Sequence, residues 1–238
     1  MCGIVGYVGN NDVSKVLIEG LKKLEYRGYD SAGIALLGSD LQIIKSLGKI
    51  SNLEEKINNT KLIDSHMGIA HTRWATHGEP SENNAHPHRI GKITLVHNGI
   101  IENYVKLRKK LENKGYEFVS ETDTEVLAHL LDYYFKGNSL EAITKVMHRV
   151  EGSYALGVIF AEHSDRIFAV RKASPLIVGQ SDKGCFIASD VPAILKYTRN
   201  VYFMDNYEVA CLQADNLTFY SSKILKIHLK ISLRNMLK

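Results

Sequence analysis

Cys2-Gly3-Ile4-Val5-Gly6-Tyr7-Val8 is the stretch on which the reading of this chain turns. Ile4–Val8 predicts a first strand, and a cysteine stands just before it. Aminopeptidases remove Met1 when a small residue follows, and Cys is small. Cys2 would then carry a thiol and a free α-amine on one residue. An α-amine has an unperturbed pKa of about 7.7–8.0, so part of it is a free base near neutral pH. It can relay a proton from the thiol with no histidine involved. A cysteine at position two is therefore a candidate nucleophile supplied with its own base.

Outward from that strand, Val13, Val16, Leu17, Leu21 and Leu24 share one face of a predicted helix over Val13–Leu24. Strands are expected at Ala32–Leu37 and Gln42–Leu47, followed by a short helix capped by Ser51 with Glu54 three residues on. Met67–His71 and Ile93–His97 predict buried strands ending in polar residues. Helices are expected at Tyr104–Lys114, Thr124–Phe135 and Ser139–Arg149, the last with Ser139 as its N-cap. The last third is strand-rich: Tyr154–Phe160, Ile167–Arg171, Leu176–Gly179, Cys185–Ala188, Val201–Phe203, Val209–Leu212 and Leu217–Tyr220. Turn residues at Asp182-Lys183-Gly184 and Asp215-Asn216 point to hairpins and antiparallel pairing. Helices flanked by strands imply sheets covered by helices, an α+β layered fold.

With 238 residues the chain is one large domain or two small ones, and 45% apolar with 24% charged residues is ordinary for a globular protein. No apolar run reaches spanning length, and no basic-then-apolar leader opens the sequence. Three cysteines, Cys2, Cys185 and Cys211, show no pairing pattern, which predicts a reducing, cytoplasmic setting. The net charge of +4 suggests nucleic acid at first sight. Five basic residues and no acidic ones lie from Lys223 to Lys238, and they leave 25 basic against 26 acidic residues in the body. The basic excess belongs to the tail, so neither a nucleic-acid nor a membrane partner is expected for the fold. Residues 223–238 read as a basic amphipathic tail or truncated linker, and residues 2–222 as the domain.

The densest polar stretch is His71-Thr72-Arg73-Trp74-Ala75-Thr76-His77-Gly78-Glu79-Pro80, at the end of a predicted strand, where loops build sites. Arg73 offers a fork suited to a carboxylate. Trp74, the single tryptophan, is either a core aromatic or a site residue. His71, His77, His86, His88 and His97 invite a metal reading, but the spacing matches no ligand motif, so no metal or cofactor is expected. Asn98-Gly99 is a turn, or else a pair of donors, side-chain amide and backbone N–H, converging on an oxyanion. Asp123, in Ser120–Glu125, is a helix-start acid or a partner for an ammonium group. Tyr26–Gly33 is a turn or a lid carrying Arg27 and Tyr29. A thiol, two oxyanion donors, a carboxylate clamp and an ammonium partner together suit an amide bearing an amino-acid head group, glutamine or asparagine.

These five stretches resemble the class II, N-terminal-nucleophile glutamine amidotransferases, and within them the glutaminase domain of the glucosamine-6-phosphate synthases. The resemblance spans roughly residues 2–220, and Glu25–Gly33 and His71–Pro80 carry its specificity. It implies a four-layer αββα sandwich of two stacked antiparallel sheets. It implies Cys2 as nucleophile, Asn98 and Gly99 as oxyanion hole, and Arg73, Thr76, His77 and Asp123 around L-glutamine. It gives Trp74 a gating role and makes Arg27 and Tyr29 part of a mobile lid. The family enzymes continue into two sugar isomerase domains, which use the ammonia to convert fructose 6-phosphate to glucosamine 6-phosphate and are absent from this sequence. The alternatives are a subunit serving another acceptor, or a glutamine- or partner-binding module without turnover.

Overall fold

The computed structural model describes residues 2–75 and 77–221. Within these described residues thirteen strands form two antiparallel sheets, and five α-helices cover them. The chain enters through β1 (Gly3–Gly9), α1 (Val13–Lys22), β2 (Ser31–Gly38), β3 (Leu41–Leu47), α2 (Ile50–Asn58) and β4 (Ser65–Arg73). Then come β5 (His88–Ile90), β6 (Ile93–Ile101), α3 (Tyr104–Glu112), α4 (Asp123–Tyr134), α5 (Ser139–Met147) and β7 (Gly152–Phe160). It closes with β8 (Ile167–Lys172), β9 (Ile177–Ser181), β10 (Gly184–Ala188), β11 (Val201–Phe203), β12 (Glu208–Leu212) and β13 (Leu217–Ser221). One sheet runs β11-β9-β10-β1-β4-β2-β3, the other β13-β12-β8-β7-β6-β5.

Strand β1 explains the layering. Val5 and Tyr7 pack with the apolar faces of α1 and α2 on one side of the sheet. Ile4 and Val8, on the opposite parity, pack with Val96, Ala155 and Ile159 of the other sheet. A strand buried on both faces reads as a continuous apolar run, as Ile4–Val8 does. The far face of the second sheet packs Leu95, Tyr154 and Phe160 against Leu107, Leu127, Leu131 and Ile143 of α3–α5. Three cores thus separate four layers, α, β, β and α. Gly6 makes room for its cross-strand neighbour on β10, because a Cβ there would lie 2.5 Å from Cγ1 of Ile187.

Several local expectations are corrected. Ser51 is not a cap: α2 starts one residue earlier, Lys49 stands at its N-cap without a side-chain bond, and the Ile50 N–H donates to Glu25 Oε1 instead. Ser139 likewise lies inside α5, whose cap is Asn138, accepting from the Glu141 N–H. The first helix ends at Lys22, and a separate 3-10 turn, Glu25–Arg27, follows. Asn98-Gly99 is no turn, since β6 runs straight through it to Ile101, paired with β7. Among the described residues no helix is long and apolar enough to cross a membrane. The tail 223–238 lies outside the described residues.

Candidate active site

Parity within the strands assembles the site. Cys2 precedes Ile4 by two residues, so it continues the face of β1 that meets the other sheet. His71 and Arg73 continue the same face of β4 beyond Met67 and Ile69. Asn98 follows Val96 by two on β6, in the opposing sheet. One end of the sandwich therefore gathers polar groups from both sheets, and the cleft there has a volume of about 430 Å³.

Cys2, Arg27, Arg73, Trp74, His77, Asn98, Gly99 and Asp123 all line that cleft. Tyr29 does not line it, and Thr76 lies outside the described residues. The Trp74 backbone N–H donates to Cys2 Sγ at 3.1 Å, and Asn98 Nδ2 donates to the Cys2 carbonyl at 3.1 Å. Burial pushes the Cys2 thiol above its ordinary pKa, against the lowering effect of the Trp74 N–H. The thiol is thus neutral near pH 7 and needs a base before it can attack. Asn98 keeps a second N–H for a ligand, since an amide nitrogen carries two. Gly99 sits at φ 135°, and a Cβ there would lie 2.1 Å from the Ser153 carbonyl oxygen. Only glycine takes this conformation without a clash.

Asp123 opens α4 and accepts the Ile101 N–H at 2.8 Å. Arg73, buried, donates from Nη2 to the carbonyls of His77 and Gly78 and from Nη1 to that of Glu79, with Asp30 Oδ1 at 3.5 Å. The arginine therefore also gathers the 77–79 loop against the cleft. Trp74 is 54% exposed, so the core-aromatic reading is excluded. Its indole stands over Gly28, where a Cβ would come within 2.1 Å of Cε3. Arg27 pairs with Asp190 at 2.7 Å, and Tyr26 donates to the same carboxylate, so the Glu25–Arg27 turn is moored beside the indole.

Sequence reasoning missed the use made of the histidines. His71 and His86 stack at 4.0 Å, with His88 edge-on to His86 at 4.9 Å, and His97 is buried beside them. Burial holds His71 and His88 down at about pKa 3, and His86 and His97 shift the same way for the same cause. Among the described residues no group of His, Cys, Asp or Glu is arranged to hold a metal. Strand parity on β4 was the signal that could have placed His71 between the sheets.

A sequence model of the glutamine amidotransferase domain matches residues 71–196, more than half of the chain. The chain belongs to this family. It is 53% identical over 235 residues to the glutamine–fructose-6-phosphate aminotransferase [isomerizing] of Clostridium acetobutylicum, covering 98% of this chain and 38% of that protein. It is 55% identical to the enzyme of the same description from Caldanaerobacter subterraneus subsp. tengcongensis, covering 92% and 36%. This amidotransferase domain thus spans under two-fifths of the length of those relatives. In fold it is similar to the glutamine phosphoribosylpyrophosphate amidotransferase of B. subtilis, solved with ADP and GMP, with a TM-score of 0.80 at 23% identity over 95% of this chain and 50% of that one. A second structure, described as the allosteric regulatory enzyme of purine biosynthesis, matches with a TM-score of 0.81 at 25% identity, again over 95% of this chain and 50% of that one. The αββα layering that the resemblance implied is the architecture they share.

Proposed function

We propose that this domain hydrolyses the side-chain amide of L-glutamine to glutamate and ammonia through a thioester on Cys2. The observation that carries the reading is the meeting of the Cys2 thiol with Asn98 and Gly99, from opposing sheets, in one cleft that also presents Arg73, His77 and Asp123. With Met1 removed, the Cys2 α-amine takes the thiol proton, and the sulfur attacks the amide carbon. The Asn98 side chain and the Gly99 N–H hold the oxyanion, a role worth about 2.7–4 kcal/mol per donor. The amine returns the proton to the leaving nitrogen, and ammonia departs. Water then attacks the thioester by the same proton route, releasing glutamate and the free thiol.

Arg73 and Asp123 suit the carboxylate and ammonium ends of glutamine, with Thr76 and His77 beside them. Trp74, on the exposed rim and stacked over Gly28, which lies between Arg27 and Tyr29 in the sequence, controls access and ammonia exit. In company with sugar isomerase domains, the ammonia would convert fructose 6-phosphate to glucosamine 6-phosphate, in the cytoplasm. Intact mass paired with glutamate release tests the reading. Loss of Met1, together with activity that vanishes in Cys2→Ala, supports it. A processed, folded protein whose Cys2→Ala variant still releases glutamate overturns it.

A further inference from the structure

The stacked imidazoles do more than fill space behind the site. His97 immediately precedes Asn98, and both of its backbone polar groups are bonded by those rings. Its carbonyl accepts from His71 Nε2 at 3.0 Å, and its N–H donates to His86 Nδ1 at 3.2 Å. The neighbouring strand, β5, pairs only as far as Leu95 on β6. The two rings therefore take up backbone groups that a longer strand would have bonded.

These contacts fix the protons. A carbonyl oxygen only accepts, so His71 Nε2 must carry the hydrogen. A backbone N–H only donates, so His86 Nδ1 must be the bare nitrogen. His71 Nδ1 has no hydrogen-bond partner among the described residues, as befits an unprotonated nitrogen. Burial and the neighbouring rings keep both imidazoles neutral, so the tautomers are stable through the physiological range.

The same His71 Nε2–H lies 2.9 Å from Asn98 Oδ1. Because that nitrogen is a donor, the atom of Asn98 facing it must be the oxygen. The amide nitrogen is then forced to the other side, toward Cys2, where it already donates to the Cys2 carbonyl. We infer that His71 is a positioning residue for the amide reaction: its Nε2–H locks the Asn98 side chain in the one orientation that presents an N–H, and not a lone pair, to the oxyanion. A flipped Asn98 would aim its carbonyl oxygen at the developing negative charge and repel it. The His97 carbonyl, held by the same proton, fixes the backbone that carries Asn98.

This inference rests on the glutaminase reading for its kinetic arm, and its spectroscopic arm stands apart. In the kinetic arm, His71→Leu should lower kcat for glutamine by at least ~10-fold, up to the ~10²–10³-fold that loss of one oxyanion donor costs. KM should stay within ~3-fold, because the lost interaction belongs to the transition state. His71→Gln, whose side-chain N–H can reach the same place, should recover most of the loss. The double variant His71→Leu/Asn98→Ala should be no slower than Asn98→Ala alone, because His71 acts through Asn98. Additive losses, or a leucine variant with unchanged kcat, would overturn the proposal. The second arm reads the wild-type tautomer by ¹⁵N NMR of the histidine rings. The expected result is a protonated Nε2 on His71, with Asn98 side-chain amide signals that shift in His71→Gln. A protonated Nδ1 refutes the lock whether or not the protein turns over glutamine, and decides the matter if the leucine variant misfolds. Wild type that releases no glutamate defeats the glutaminase reading alone, and the tautomer then judges the positioning.

Discussion

Mild acid should weaken this domain well before its carboxylates titrate. The perturbation is a shift from pH 7 to roughly pH 5.5, below the unfolded-state histidine pKa of about 6.5. His71 and His88 titrate at about 3 in the fold, because burial penalises their charged forms. Between these values the unfolded chain binds protons that the folded chain refuses, so stability falls as pH falls. Each such histidine loses about 1.2 kcal/mol over that interval, and the pair about 2.5 kcal/mol. His86 and His97 are displaced in the same direction and add to the loss. Domains of this kind hold only about 5–15 kcal/mol in total, so the effect is a large share of it. Urea unfolding at the two pH values measures it directly. His88→Gln should reduce the pH dependence by about one proton, since the amide does not titrate. Unfolding free energies that agree at the two pH values would refute the reasoning, as the rings would then be protonating freely within the fold.

Three further outcomes follow from the same geometry. Glu125 is buried; burial alone would raise its carboxyl, but His129, the Ser120 hydroxyl and the backbone N–H groups of Val119 and Ser120 outweigh that and hold it at about 2. Glu125→Gln should therefore cost about 3 kcal/mol at pH 7, a contribution present above the unfolded carboxylate pKa and lost as pH falls toward about 2; a urea-measured change below about 0.5 kcal/mol counts against it. Gly28→Ala meets the Trp74 indole at a backbone φ of 94°, so it should destabilise by at least about 1 kcal/mol. It should also shift the emission of the single tryptophan, and an unchanged spectrum and midpoint would remove the indole from that position. Asn98→Ala should reduce glutamine turnover by about 10²–10³-fold with little change in KM, and near-normal turnover would remove Asn98 from the oxyanion hole.

Most strands and helices were legible because their apolar residues recur with the period of the element, as Val13, Val16, Leu17 and Leu21 do on α1. The misread start of α2 has a tertiary cause. A serine followed three residues later by an acid is a local signal, but the first N–H of α2 is satisfied by Glu25, 25 residues away in sequence. Asn98-Gly99 carries turn composition, yet β7 offers a continuous pairing partner through Ile101 and holds the segment extended. Arg73 reads in the sequence as a fork for a carboxylate, whereas its gathering of the 77–79 carbonyls depends on where that loop returns.

The sequence by itself determined the chemical inventory: a thiol at the second residue, an amide and a glycine side by side, an arginine, an aspartate and a lone tryptophan. It also determined the strand alternation that sends Cys2, His71 and Asn98 to the faces where the sheets meet. Only the tertiary structure decided that Cys2 and Asn98, 96 residues apart, would touch, and that a histidine would orient the amide. The reason is physical. Periodicity reports which face of an element is buried, because burial of that face drives its formation. It carries no measure of which buried face meets which, since that is settled by the joint packing of two sheets whose partners come from distant parts of the chain.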